Sequence, residues 1–270
     1  MSWPEPGIHP NIAEAEYHAA APASHSTIRS WIKPRKLGRV GLIGSATHAL
    51  WLEGRAAFDE RYISVDEDFD LRPRAGRERA AEIIGDSGKE LLRFKERSLV
   101  ERMFMALGGS DEAQQLIAAP GINELSVVGQ FEGFSQMYRA RIDMQRRASL
   151  WDLKTTNEIN EAQWIDAEVK YGYFNQAAWY SALYAAVTGD QLPFGFVCVS
   201  KIEPHNVWTR IVPNHLMAVG HRWREDVLTL YERYIPKEMR DGKLTKRRQV
   251  VASPVGGTAG DCSGTEGREE

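Results

Sequence analysis

A change of period at Pro120-Gly121 restricts the fold of this chain more than any other feature of its sequence. Upstream, apolar residues recur at helical spacing over about 96–107 and 111–118, with Gly108-Gly109 between them. Downstream, 122–128, 133–144 and 148–155 read as three successive strands, the first two joined by a turn around 129–132. Two long helices follow over about 158–170 and 173–188, then a hairpin of edge-type strands over 194–201 and 206–212, and an amphipathic helix over about 214–235. Strands that must bury their faces, set among helices with apolar stripes, imply an α/β fold: a central mixed β-sheet flanked by helices on both faces, with the 122–155 meander at its heart.

The N-terminal third is less regular. Residues 1–26, rich in Pro, Ala and His, read as an irregular lead-in, after which Ser26 is expected to cap a short helix over 27–33 that Pro34 ends. Leu42, Ile43, Ala46, Ala49, Leu50 and Leu52 place a mostly buried helix over 41–53, with His48 on it and Gly54 at its end. An extended piece at 62–65, an Arg-rich loop and a helix near 78–84 are expected before residue 92. A single domain is therefore expected over 27–236, and a basic, Gly/Ser-rich, disordered tail over 237–270.

Bulk properties exclude several classes. With 270 residues and 43% hydrophobic content the chain can bury a sizeable core. No apolar run reaches the ~18 to 20 residues of a membrane span, and the N-terminus lacks a basic flank followed by an apolar stretch, so a cytoplasmic protein with no membrane partner is expected. Cys198 and Cys262 are too few for an iron–sulfur or four-thiolate zinc site. The formal charge of −3 gives no global attraction to nucleic acid, so DNA contacts would come from basic stretches at 33–36, 72–79, 139–147 and 243–248, each of which also reads as a solvated face.

The chemistry concentrates in Trp151-Asp152-Leu153-Lys154-Thr155. On a strand, Asp152 and Lys154 project to one face roughly 6 to 7 Å apart, while Trp151, Leu153 and Thr155 face the other way. Alone, this is a surface or cross-strand ion pair. On the preceding strand Ser135, Met137, Arg139, Arg141 and Asp143 share a face, and antiparallel pairing would bring Asp143 near Asp152. Carboxylates that close repel unless a cation lies between them, and oxygen ligands suit Mg²⁺ or Mn²⁺. A protonated aspartate, or a guanidinium bridge from Arg139 or Arg141, would serve equally. Glu124 on the first strand could add a third carboxylate or be a surface glutamate. Gln176 and Tyr180 are i and i+4 on the following helix, with Tyr173 and Tyr184 nearly in line. Such a stripe is core packing, except that a buried glutamine needs partners.

Taken in order, His48, Asp143, Asp152-Leu-Lys154 and Gln176-x-x-x-Tyr180 resemble the active-site pattern of the PD-(D/E)xK nuclease superfamily in its RecB-like branch. The segments Gly7-Ile-His-Pro-Asn-Ile-Ala-Glu-Ala-Glu-Tyr-His18, Gly44-Ser-Ala-Thr-His48 and Arg141-Ile-Asp143 resemble phage and prophage exonucleases of the exonuclease VIII (RecE-like) group, over residues 7 to 235. Asp152 stands where many relatives carry Glu. The resemblance implies a restriction-endonuclease-like core in which His48, Asp143, Asp152, the Leu153 carbonyl and, less regularly in the family, Glu124 hold Mg²⁺, with Mn²⁺ as substitute. It also implies Lys154, Gln176 and Tyr180 around the phosphate, and 5′-to-3′ digestion of double-stranded DNA ends for recombination. The partners it implies are copies of the chain in a homo-oligomeric ring and a single-strand annealing protein. An endonuclease, a Cas4- or RecB-like nuclease without its cluster, and a non-catalytic DNA-binding relative are the alternatives.

Overall fold

The computed structural model describes residues 5–10, 12–20, 22–33 and 38–234. Pro34, the basic stretch at 243–248, Cys262 and the tail expected from 237 lie outside the described residues.

Nine strands and ten α-helices are described. A seven-stranded mixed sheet has the order β1 (Gly7–His9), β5 (Gly121–Gln130), β6 (Met137–Arg146), β7 (Ser149–Thr156), β8 (Phe194–Ser200), β9 (Val207–Ile211), with β2 (Ala23–Ser24) pairing β6. The β5–β6–β7 meander is antiparallel, β8 runs parallel to β7, and β9 returns antiparallel to β8. The expected meander is thus at the heart of the sheet. The expected edge hairpin is an edge on one side only: every residue of β8 is buried, because β7 and β9 flank it and helices cover both its faces, and β9 alone is the edge.

Alternation along β8 sorts the core into two layers. Phe194, Phe196 and Cys198 join Leu125, Val127, Tyr138, Ala140 and Ile142 under α8 (Glu161–Tyr171), α9 (Tyr173–Thr188) and α10 (Asn214–Tyr234), with Trp164 and Trp179 at the centre. Val197 and Val199 join Trp151 and Leu153 under α6 (Phe94–Gly108) and α7 (Asp111–Ala118). Helices therefore cover both faces. Side-chain oxygens start several of them: Ser110 accepts from the Ala113 amide and Asn160 from the Gln163 amide. Gly172, at φ 64°, ends α8 in a left-handed turn and starts α9 at once.

Four further expectations are corrected. The described part of the lead-in expected over 1–26 carries regular elements: β1 pairs β5, α1 (Glu14–Ala19) follows, and β2 pairs β6, because Ile8 and Ala23 complete sheet pairing that no local periodicity could announce. The cap of α2 (His25–Ile32) is Ser24, whose hydroxyl accepts from the Thr27 amide at 3.2 Å, while the Ser26 hydroxyl bonds that of Ser24. The helix expected over 41–53 is two pieces, α3 (Arg39–His48) and a π-helical turn Ala49–Glu53; α4 (Arg55–Arg61) follows Gly54. A separate small sheet, β3 (Tyr62–Ser64) parallel to β4 (Glu90–Leu92), carries α5 (Arg74–Ser87), which is longer at both ends than the 78–84 expected.

Candidate metal centre

The site sits where β6 changes partner. Residues 144–146 of β6 pair with β7, but at Tyr138 and Arg139 the same edge is taken by β2, so β6 and β7 splay apart in between. Asp143 is at the apex of that fork. Its Oδ2 accepts from the Leu153 amide at 2.7 Å, supplying to β7 the hydrogen bond that the departing strand does not.

The inward set also changes sides here. Ile142 packs in the Trp179 layer, whereas Met144, two residues on, packs with Trp151 and Leu153 in the opposite layer. On β5 the partner pairs Asn123–Met144 and Leu125–Ile142 leave Glu124 opposite Asp143, and Glu124 has φ 54°, a left-handed conformation that a non-glycine residue adopts only under constraint. The break in alternation turns both carboxylates into the fork. Continuing the Met144–Trp151 register by one residue sets Asp152 on the far side of Asp143. Glu124, Asp143 and Asp152 thus form a row across three neighbouring strands, an arrangement that is destabilising without a cation.

Electrostatics record that cost. Burial, then Asp152 and Glu124, hold the Asp143 carboxyl well above the usual carboxylate range. Burial works against the charge on Lys154, but Asp152 and Asp143 outweigh it and raise the ammonium above its ordinary value. Lys154 reaches Asp152 Oδ2, as the i, i+2 spacing requires, and Gln176 donates to Asp152 Oδ1 at 2.6 Å. Burial first, then Tyr17, Asp152 and Asp143, push the Tyr180 phenol well above its ordinary value, opposed by a hydrogen bond with Gln176. Tyr180 therefore stays protonated beside the acidic row. The buried glutamine does have its partners, and they are site residues.

His48 closes the site from α3. Its Nε2 lies 2.8 Å from the Leu153 carbonyl, which can only accept, so Nε2 carries the hydrogen. Nδ1 is then turned toward Asp143 Oδ2 at 3.3 Å. Two acceptors that close call for a proton or a cation between them. Ligand atoms of His48, Glu124 and Asp143 lie within 4.8 Å of one another, the one such cluster among the described residues. A set of nitrogen and carboxylate donors with no thiolate fits a hard divalent ion, and an N–H held by a backbone carbonyl is the usual way a ligating imidazole is oriented.

Two of the expected ligands have partners of their own in the structure. The Leu153 carbonyl is engaged by His48 and orients it, and Asp152 is tied to Lys154 and Gln176 rather than grouped with the three ligands. Glu124, the least certain residue in the sequence, is in the cluster, and the guanidinium of Arg141 lies on it rather than between the aspartates. Tyr17, on α1, also borders the site. Arg139 and Arg141 pack on its ring at 4.7 and 5.7 Å, and their guanidiniums bond the Ala20 and Ile12 carbonyls, fastening the N-terminal segment beside the site. Its only signal in the sequence is the 7–18 resemblance. A cavity of about 1250 Å³ between the β5–β6 turn, α9 and α10 is lined by none of the site residues.

A family model described as "PDDEXK-like domain of unknown function (DUF3799)" matches residues 11–239. Among solved structures, a candidate exonuclease from Eubacterium rectale superimposes with a TM-score of 0.58 at 14% identity, over 87% of this chain and 88% of that one. An alkaline exonuclease from Laribacter hongkongensis is 14% identical over 74% of this chain and 96% of that one, with a TM-score of 0.31, too low to carry an argument. No curated protein matches the chain. No described helix is long and apolar enough to cross a membrane.

Proposed function

Since this chain belongs to the PDDEXK-like domain family, and so to the PD-(D/E)xK nuclease superfamily, we propose that it is a Mg²⁺- or Mn²⁺-dependent exonuclease that hydrolyses linear double-stranded DNA from an end. The carrying observation is the carboxylate row Glu124–Asp143–Asp152 at the β6–β7 fork, with His48 and Lys154 against it. No structural need of the sheet accounts for three adjacent carboxylates; a reaction that handles a divalent cation and a phosphodiester does.

In this reading His48 Nδ1, Glu124 and Asp143 would hold the ion, and Asp152, beside Asp143, would supply a further carboxylate oxygen. A divalent cation held there would supply Lewis-acid chemistry, polarising a phosphate and acidifying a water. The chain does the rest. Lys154 Nζ, kept charged by the acidic row, orients the attacking water and offsets charge developing on the phosphate. Gln176 fixes Asp152, and Tyr180, protonated and bonded to Gln176, holds that amide in place. Arg141 balances Glu124 and anchors the segment that borders the cleft.

The description of the Eubacterium rectale protein as a candidate exonuclease favours cutting from ends, and the resemblance to the exonuclease VIII group supports 5′-to-3′ polarity, a ring of copies and an annealing partner in phage-type recombination. The test is digestion of 5′- and 3′-labelled linear duplex and closed circular plasmid, with Mg²⁺ or chelator, by wild type and Lys154→Ala. Early release of the 5′ label from linear duplex alone, only with metal and only by wild type, is expected. Untouched duplex, or full activity of Lys154→Ala, refutes the proposal, and cleavage of the circle makes the protein an endonuclease.

A further inference from the structure

A line of aromatic rings leaves the site in one direction. Lys154 Nζ lies 5.6 Å from the centre of the Tyr173 ring, and that ring lies 5.8 Å from Tyr171. Tyr173 is locked from behind, stacked on the fully buried Trp164 at 4.9 Å with an interplanar angle of 7°. Tyr171 differs: it is 37% exposed, on the last residue of α8, just before the left-handed Gly172 that turns the chain into the helix of Gln176 and Tyr180. Through Tyr173, the partly exposed Tyr171 is thus two contacts from Lys154.

Cations accompany it. Lys170 Nζ lies 5.4 Å from the Tyr171 ring centre, and Arg29, from the last turn of α2, donates to the Tyr171 carbonyl at 2.6 Å. The carbonyl held by Arg29 and the abrupt α8–α9 turn fix the backbone under the ring, so the tyrosine is presented from a rigid support. A rigid exposed ring with positive charge beside it, continuous with a phosphodiester site, is the combination that binds single-stranded nucleic acid without regard to sequence: bases stack on the ring, and phosphates meet the cations.

We propose that Tyr171 is a stacking platform for an unpaired base of the DNA strand being cut, with Lys170 and Arg29 contacting its backbone. The proposal rests on the nuclease reading and deepens it: the enzyme holds its substrate strand in single-stranded form next to Lys154. It also accounts for tolerance of any sequence, because every base has a face to stack.

The test is fluorescence anisotropy with a labelled single-stranded oligonucleotide, in chelator to prevent cutting, for wild type, Tyr171→Phe, Tyr171→Leu and Tyr171→Ala, with circular dichroism melts as fold control. A second oligonucleotide carries 2-aminopurine, whose emission is quenched by stacking. About a tenfold weakening is expected for Tyr171→Leu and Tyr171→Ala, with near wild-type binding and quenching by Tyr171→Phe. Lys170→Ala should flatten the salt dependence by about one phosphate contact. The leucine variant keeps an apolar side chain on the helix end, so a folding defect confined to alanine leaves the comparison intact. If wild type binds and cuts DNA while the leucine variant binds within twofold of it, or if phenylalanine is as weak as leucine, the platform is refuted and the nuclease stands. If wild type neither binds nor cuts DNA, both fall.

Discussion

Replacing Asp143 by Asn should stabilise the metal-free protein and abolish its stabilisation by metal. Asn is nearly isosteric, and its side-chain oxygen can still accept from the Leu153 amide, so the bond that bridges the fork survives. What is removed is a buried charge between two others. Ligand atoms of Asp143 and Glu124 lie within 4.8 Å, and unit charges at that separation repel by about 3.5 kcal/mol at an effective dielectric constant of about 20. Arg141 on Glu124 and Lys154 beside Asp152 offset part of it, leaving an expected gain of about 1–2 kcal/mol. For a domain of this size that is a rise in Tm of about 2–8 °C in EDTA. Mn²⁺ at a hundredfold excess over its dissociation constant should then stabilise wild type by about 2.7 kcal/mol and the variant hardly at all, so the two melting curves exchange order on adding metal. Differential scanning fluorimetry at pH 8 reads both arms. A variant that melts below wild type in EDTA refutes the reasoning, because the carboxylate would then be a stabilising partner of His48 rather than a charge held for a cation.

Gln176→Ala releases Asp152 Oδ1 and should slow cutting about 10- to 100-fold in a plasmid-end digestion assay, with little change in Tm. Glu232 on α10 accepts from the Ser135 and Gln136 amides and from the Ser135 and Tyr138 hydroxyls; burial raises its carboxyl, but these donors outweigh burial and hold it below its ordinary value. A depressed carboxylate stabilises the fold above its unfolded-state pKa and loses that contribution as pH falls through the folded value. Glu232→Ala should therefore cost about 1 kcal/mol at pH 7 in urea melts, and the difference from wild type should vanish in acid. Gly195→Ala would put a Cβ 2.4 Å from the Trp151 ring, and an overpacking loss of about 2–3 kcal/mol is expected in the same melts.

Part of the site was legible because strand geometry is local. Asp152 and Lys154 must share a face at i, i+2, and the short connection from Asp143 to Asp152 brings them together for any tight antiparallel return. Gln176 and Tyr180 share a helix face by the same kind of rule. Glu124 could not be placed, since its arrival depends on a left-handed residue that breaks alternation, and propensity assigns no such residue to a glutamate.

The sequence by itself determined the α/β class, the central meander, the helices on both faces and the Asp143, Asp152 and Lys154 nucleus, because each follows from period, turn residues and covalent spacing. The tertiary structure alone decided which atoms meet there. It split β6 between β7 and β2, put His48 on the Leu153 carbonyl 105 residues away, set Arg141 against Glu124, and added β1 and β2 to the sheet. Those are contacts between distant segments, fixed by the burial of the whole core, and no local window of the chain contains them.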